Sequence, residues 1–234
     1  MRIQRRRKRR KNNFMRHYHL FIGNRTYSSW SFRAWLLMKF ADLEFSCDLL
    51  PLFTAETDKW CLKNSPTGKL PCLKVGQFTL AESLAIAEYI AECYPHKNLW
   101  PNDLNKRAIA RSICIEICTN FSALHTEMPM NLNRKNKPTT LTPDCQKDIR
   151  RIEKILETVQ TQFSSTGPFI FGSCSITDAF LIPILCSFKS YLPNKDLLPL
   201  TKNYMRFMLT LPEVLGWYQM AANEPFKLNQ FDLP

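Results

Sequence analysis

Two serines three residues apart, Ser28 and Ser31, sit in the run Tyr27-Ser28-Ser29-Trp30-Ser31. An apolar strand pattern, Tyr18 to Ile22, ends just before this run, and a helical pattern, Phe32 to Phe40, begins just after it. The spacing is that of a redox Cys-x-x-Cys pair with hydroxyls in place of thiols. Serine cannot shuttle electrons. At a helix N-terminus its hydroxyl can instead donate a hydrogen bond to an anion that also meets the unpaired backbone N–H groups of the first turn.

Two further pieces follow in order. Gly68-Lys69-Leu70-Pro71 places a proline at the start of a strand, where the Leu70 backbone N–H and C=O would face an extended, peptide-like ligand. Leu80-Ala81-Glu82-Ser83 opens another helix: Ser83 and its backbone N–H suit a carboxylate, and Glu82 suits an ammonium. Together the parts describe a ligand with a thiol at one point and an α-amino-acid group at another. Lys69 and Arg33 either touch ligand carboxylates or are solvated.

These residues need a scaffold. Residues 18 to 94 read as β-α-β-α-β-β-α, with strands at Tyr18–Ile22, Glu44–Leu50, Cys72–Val75 and Phe78–Leu80 and a hairpin turn at Gly76-Gln77. A short helix is expected over Ala55 to Lys63, and a third over Ile86 to Tyr94. The chain divides into a basic tail (1–16), an α/β thioredoxin-like domain (17–96), a linker (97–105) whose Leu99 and Trp100 pack down, and an all-helical domain (106–234). In the helical part, Ile109, Ile113, Ile117, Phe121, Leu124 and Met128 form one long stripe; Ile149, Ile152, Leu156, Val159 and Phe163 form a second. Both read as core. Asn131 to Pro143 is a polar connection. Ser175 and Asp178 read as a helix cap rather than as catalytic parts, and Pro183 is expected to kink the helix they start.

The formal charge of +12 is localised. Residues 1 to 16 hold nine Lys/Arg and no acid; removing those nine from the 32 basic residues leaves 23 against 20 acidic ones. The folded body is near neutral, so nucleic acid enters only through the tail, which reads equally as dispensable, with Met15 as an alternative start. No apolar run approaches the roughly 20 residues of a membrane span, and the stretch after the tail is too short for a secretory signal. Nine cysteines without a matching His or Cys pair read as reduced, buried thiols and not as a metal site.

The chain from residue 18 to about 225 resembles the cytosolic glutathione transferase superfamily. The carriers are Gly23 to Arg33, which is similar to a bacterial serine-type branch, with Ser65-Pro66-Thr67-Gly68-Lys69-Leu70-Pro71, Glu82-Ser83-Leu84-Ala85-Ile86, Glu127-Met128-Pro129-Met130-Asn131-Leu132 and Ser175-Ile176-Thr177-Asp178. The resemblance implies catalysis by Ser28, with Ser29 in reserve, and glutathione binding by Leu70, cis-Pro71, Glu82, Ser83 and Lys69. It implies glutathione as co-substrate, no metal, a small hydrophobic electrophile held between the domains by Tyr27, Trp30, Met128 and Met130, and a cytoplasmic homodimer. The serine turn is also similar to that of zeta-class isomerases, which carry Ser-Ser-Cys-Ser; here Trp30 stands at the cysteine. A glutathione-dependent isomerase or dehalogenase, and a non-catalytic binding protein on the same fold, are the alternatives. His125, one turn before Met128, is expected to be structural.

Overall fold

Strand β1 (Tyr18–Ile22) turns Tyr18, Leu20 and Ile22 into the core and His19 and Phe21 to the other face. In this computed structural model, which describes residues 17–134, 140–163, 166–192 and 196–231, β1 lies inside a four-stranded sheet of order β2-β1-β3-β4. The basic tail lies outside the described residues, as does the middle of the connection read between Asn131 and Pro143. β1 runs parallel to β2 (Phe45–Leu49) and antiparallel to β3 (Cys72–Val75), and β3 pairs antiparallel with β4 (Phe78–Ala81). A parallel pair needs a crossover, which α1 (Ser29–Phe40) supplies. The opposite face is covered by α2 (Ala55–Asn64), whose Trp60 ring lies 4.5 Å from Phe21. α3 (Ser83–Cys93) returns beside α1.

Helix α1 is buried nearly all round, because it is wedged between the sheet and the helical domain. Its neighbour there is α7 (Ile176–Tyr191), an apolar helix that runs on through Pro183 to Tyr191. Asp178 accepts hydrogen bonds from the Ser175 backbone N–H (2.9 Å) and hydroxyl (2.7 Å), so the expected cap forms. α4 (Leu104–Thr119) and α8 (Pro199–Met208) pack on α7; α5 (Ser122–Glu127) packs on α6 (Pro143–Phe163), α6 on α8, and α9 (Pro212–Ala222) on α1. Leu99 and Trp100 are buried, and the indole N–H of Trp100 donates to Glu88 at 3.0 Å.

One expectation fails. The first long stripe does not lie on one helix: the chain breaks at Asn120-Phe121, with Phe121 at φ 61°, and restarts as the short α5. Phe121, Leu124 and Met128 are still buried, because the break re-aims the helix without releasing its apolar side.

Candidate active site at the start of helix α1

The loop between β1 and α1 is tied from several sides. The Asn24 carbonyl accepts the N–H groups of Tyr27 (3.2 Å) and Ser28 (2.8 Å), and its side chain accepts the Leu52 N–H at 2.8 Å. Ser28 is the N-cap of α1 and accepts the Ser31 N–H at 3.3 Å. Its hydroxyl donates to Ser31 Oγ at 2.8 Å, and the Gly23 N–H donates to the same oxygen at 2.9 Å. The two serines therefore form a short chain of hydrogen bonds anchored in the backbone. Such chains polarise cooperatively.

In front of this turn lies a cavity of about 360 Å³ between the two domains, a size suited to a small ligand. The structure brings Ser28, Ser29, Tyr27 and Trp30 to its wall from one side. Lys69 and Leu70 reach it from the loop before β3, where the Leu70–Pro71 peptide is cis. Met130 and His125 close it from the helical domain. Met128, expected beside Met130, is instead wholly buried: it caps α5 and points into the helical core.

Glu82 and Ser83 do not line this cavity; they stand at the adjacent N-terminus of α3. Their geometry is nonetheless unusual. Glu82 has φ 70°, a region a non-glycine residue occupies only under constraint and often at ligand sites. Ser83 is 1% exposed, and its hydroxyl has no hydrogen-bond partner among the described residues. A buried hydroxyl at a helix N-terminus can donate to an anionic acceptor.

The cavity's outer wall comes from residues that spacing alone did not single out. Phe53 and Phe231 face each other across the mouth with centroids 5.9 Å apart, and Phe231 stacks on Tyr27 at 5.5 Å. The segment carrying Phe231 is strapped down at three points. Glu224 accepts the Arg25 backbone N–H (3.0 Å) and guanidinium (2.9 Å), Leu228 N–H donates to the Tyr27 hydroxyl (3.3 Å), and Asn131 Nδ2 donates to the Phe231 carbonyl (3.1 Å). Sequence holds no signal for Phe231, which lies in an aperiodic tail. Nor does the sequence mark Phe53; the structure does, by holding it at φ 60°, a backbone region unusual for a phenylalanine.

His125 and Cys61, both on the cavity wall, are held neutral. Burial first, and then the Arg33 charge, push the His125 imidazole down to about 4. Burial pushes the Cys61 thiol up, so this wall residue stays a thiol. Among the described residues no group of three or more His, Cys, Asp or Glu is placed to hold a metal ion, and no helix is long and apolar enough to cross a membrane.

The comparisons with known proteins agree with this geometry. The glutathione S-transferase N-terminal domain profile matches residues 27–93, the segment carrying the serine turn, cis-Pro71 and the start of α3. A probable maleylacetoacetate isomerase of Caenorhabditis elegans is 31% identical over 178 residues, covering 75% of this chain and 79% of its own. The chain belongs to the glutathione S-transferase family. A zeta-class glutathione S-transferase of Euphorbia esula is 28% identical over 163 residues, covering 67% of this chain and 70% of its own. Among solved structures, a glutathione transferase homolog from Burkholderia with bound glutathione superimposes with a TM-score of 0.69 at 21% identity, covering 89% of this chain and all of that one. The thioredoxin-like domain followed by a helical domain is thus the glutathione transferase architecture.

Proposed function

We propose that this glutathione S-transferase binds reduced glutathione with its cysteinyl sulfur at Ser28 and its γ-glutamyl group at Glu82 and Ser83, and adds the thiolate to a small apolar electrophile. The observation that carries the reading is the Ser31–Ser28 relay at the N-terminus of α1. If Ser31 turns its hydroxyl toward Ser28 Oγ, the Ser28 hydroxyl is freed to donate to sulfur, with Gly23 N–H still holding Ser31. Leu70 presents its backbone to the cysteinyl unit, and Lys69 lies within reach of a ligand carboxylate.

The chemistry is nucleophile activation. A free thiol with pKa ~8.5 is roughly 3% thiolate at neutral pH. A charge-assisted hydrogen bond with the helix end lowers that by about two units, worth ~2.7 kcal/mol, so most of the thiol ionises. The proton leaves to solvent, and sulfur then forms its bond to the electrophile's carbon as a π bond there opens and takes a proton from solvent, or as a leaving group departs with its electron pair. A less basic thiolate attacks more slowly, so part of the acceleration has to come from positioning. The Tyr27, Trp30 and Met130 walls are placed for that.

A second reading is favoured by the relatives named maleylacetoacetate isomerase. On the same site, thiolate adds to a cis double bond, the bond rotates, and glutathione leaves unchanged. The test is to titrate glutathione into the protein while following thiolate ultraviolet absorbance, with Ser28→Ala in parallel. Ionisation near neutral pH that weakens in the variant is the expected result, and no glutathione binding would overturn the proposal. Glutathione consumed per turnover then separates addition from isomerisation.

A further inference from the structure

Among the described residues, the buried guanidinium of Arg33 has no counter-ion. Arg33 is 0% exposed, and its Nε and Nη2 have no hydrogen-bond partner among those residues. Nη1 reaches only a weak acceptor, Cys118 Sγ, at 3.8 Å. Two aromatic rings hold it, Trp30 with the guanidinium carbon 4.4 Å from the ring centroid and Phe180 at 5.4 Å. The titratable groups that face it are the thiols of Cys114 and Cys118 on α4 and the imidazole of His125 on α5, and none carries a negative charge at neutral pH.

The carboxylates beyond them are engaged elsewhere or unpaired with it. Asp178 is taken up by the Ile170 N–H, by Ser175 and by the Tyr204 hydroxyl. Glu82 acts on Cys118, yet among the described residues no carboxylate forms an ion pair with Arg33. An arginine keeps its proton. A lone buried charge is costly and is retained where something uses it.

Its place on α1 shows what could use it. Arg33 follows Ser29 by four residues, so it lies on the same helix face one turn below the serine turn. Trp30, whose ring it covers, and His125, which feels its charge, are both walls of the cavity in front of Ser28. An aromatic face is electron-rich and would repel an anion beside it; a cation behind the ring offsets that.

We propose that Arg33 is the fixed positive charge that keeps the bound sulfur ionised, acting through its field and through the Trp30 ring rather than by contact. The inference rests on the proposed glutathione site, where it adds a positioning residue to the Ser28 hydrogen bond. For a charge roughly 10 Å from the sulfur at an effective dielectric near 20, the expected contribution is about one pKa unit.

The experiment measures the pH titration of protein-bound glutathione thiol in wild type, Arg33→Met, Arg33→Lys, Cys118→Asp and Cys118→Asn. Arg33→Met removes the charge; Cys118→Asp leaves Arg33 in place and gives it the counter-ion it lacks. The expected result is a bound-thiol pKa about one unit higher in Arg33→Met and Cys118→Asp, with Arg33→Lys and the neutral Cys118→Asn close to wild type. An unchanged value in Cys118→Asp overturns the inference even if Arg33→Met does not fold. If wild type binds no glutathione, the proposed function fails. If wild type ionises glutathione and responds to Ser28→Ala but not to these charge changes, the field role alone fails.

Discussion

Glu224 fastens the C-terminal segment to the active-site loop, and its removal is a direct test of that connection. Its carboxylate accepts the Arg25 backbone N–H at 3.0–3.1 Å and the guanidinium at 2.9 Å, with the Glu224 side chain 6% exposed and that of Arg25 16% exposed. Removing one partner of a buried pair costs about 3–5 kcal/mol, because the remaining charge is stranded. Arg25 keeps some contact with water, so the expectation for Glu224→Ala falls to about 2–3 kcal/mol. Glu224→Gln keeps an acceptor for the backbone N–H and loses only the charge, for about 1 kcal/mol. The loop does not collapse in either variant, since the Asn24 carbonyl still holds Tyr27 and Ser28 and the Trp217 indole still donates to the Arg25 carbonyl at 3.0 Å. Glutathione affinity should therefore weaken by about tenfold rather than vanish, a loss of ~1.4 kcal/mol. Urea unfolding monitored by circular dichroism reads the first quantity, and calorimetric titration reads the second. Glu224→Ala within ~0.5 kcal/mol of wild type and with unchanged affinity would refute the reasoning, since exposed ion pairs contribute about that little.

Three further outcomes are expected. Glu82→Gly relieves the backbone at φ 70°, so it should raise the melting temperature while weakening glutathione binding, a trade-off visible by pairing thermal melts with titration. His125, held down to about 4 against about 6.5 in the unfolded chain, binds its proton less readily when folded; stability should fall as pH drops from 6.5 toward 4, by up to about 2 kcal/mol at pH 5. His125→Asn should flatten that part of the urea-stability profile, and an unchanged slope would acquit the histidine. Phe231→Ala opens the cavity mouth and should shift relative rates toward bulkier electrophiles with the bound-thiol titration unaltered, measured over a series of aromatic acceptors.

What the sequence makes legible is governed by local physics. The apolar strand Tyr18–Ile22, the hairpin at Gly76-Gln77 and the cap at Ser175 and Asp178 each follow from short-range rules, and each is where those rules put it. The serine turn, Leu70 and Lys69 meet at one cavity because the thioredoxin-like topology brings those loops to one end of the sheet. The break at Phe121 was illegible because a phenylalanine carries no signature of left-handed backbone; an Asn or Gly there would have announced it. Met128 and Met130 are two residues apart and identical in type, yet the end of α5 sends one into the core and the other to the cavity. Phe231 could not be found by any periodicity. The isolation of Arg33 is a statement about what is missing around it, and a sequence does not record which partners fail to meet.

One wall of the cavity hangs from outside the core. Ser28 and Ser31 are bound into α1, which is packed on the sheet and on α7, so few substitutions near them leave the fold intact. Among the described residues, Leu228 and Phe231 are held by a few polar links and by stacking against Tyr27 and Phe53. Changes at Leu228 and Phe231 can thus redraw what the cavity admits while leaving the hydrogen bonds of Ser28 and Ser31 in place. The serine turn and the mouth of the cavity are carried by stretches of chain under different constraints, so the shape of the mouth can change while the serine turn is held.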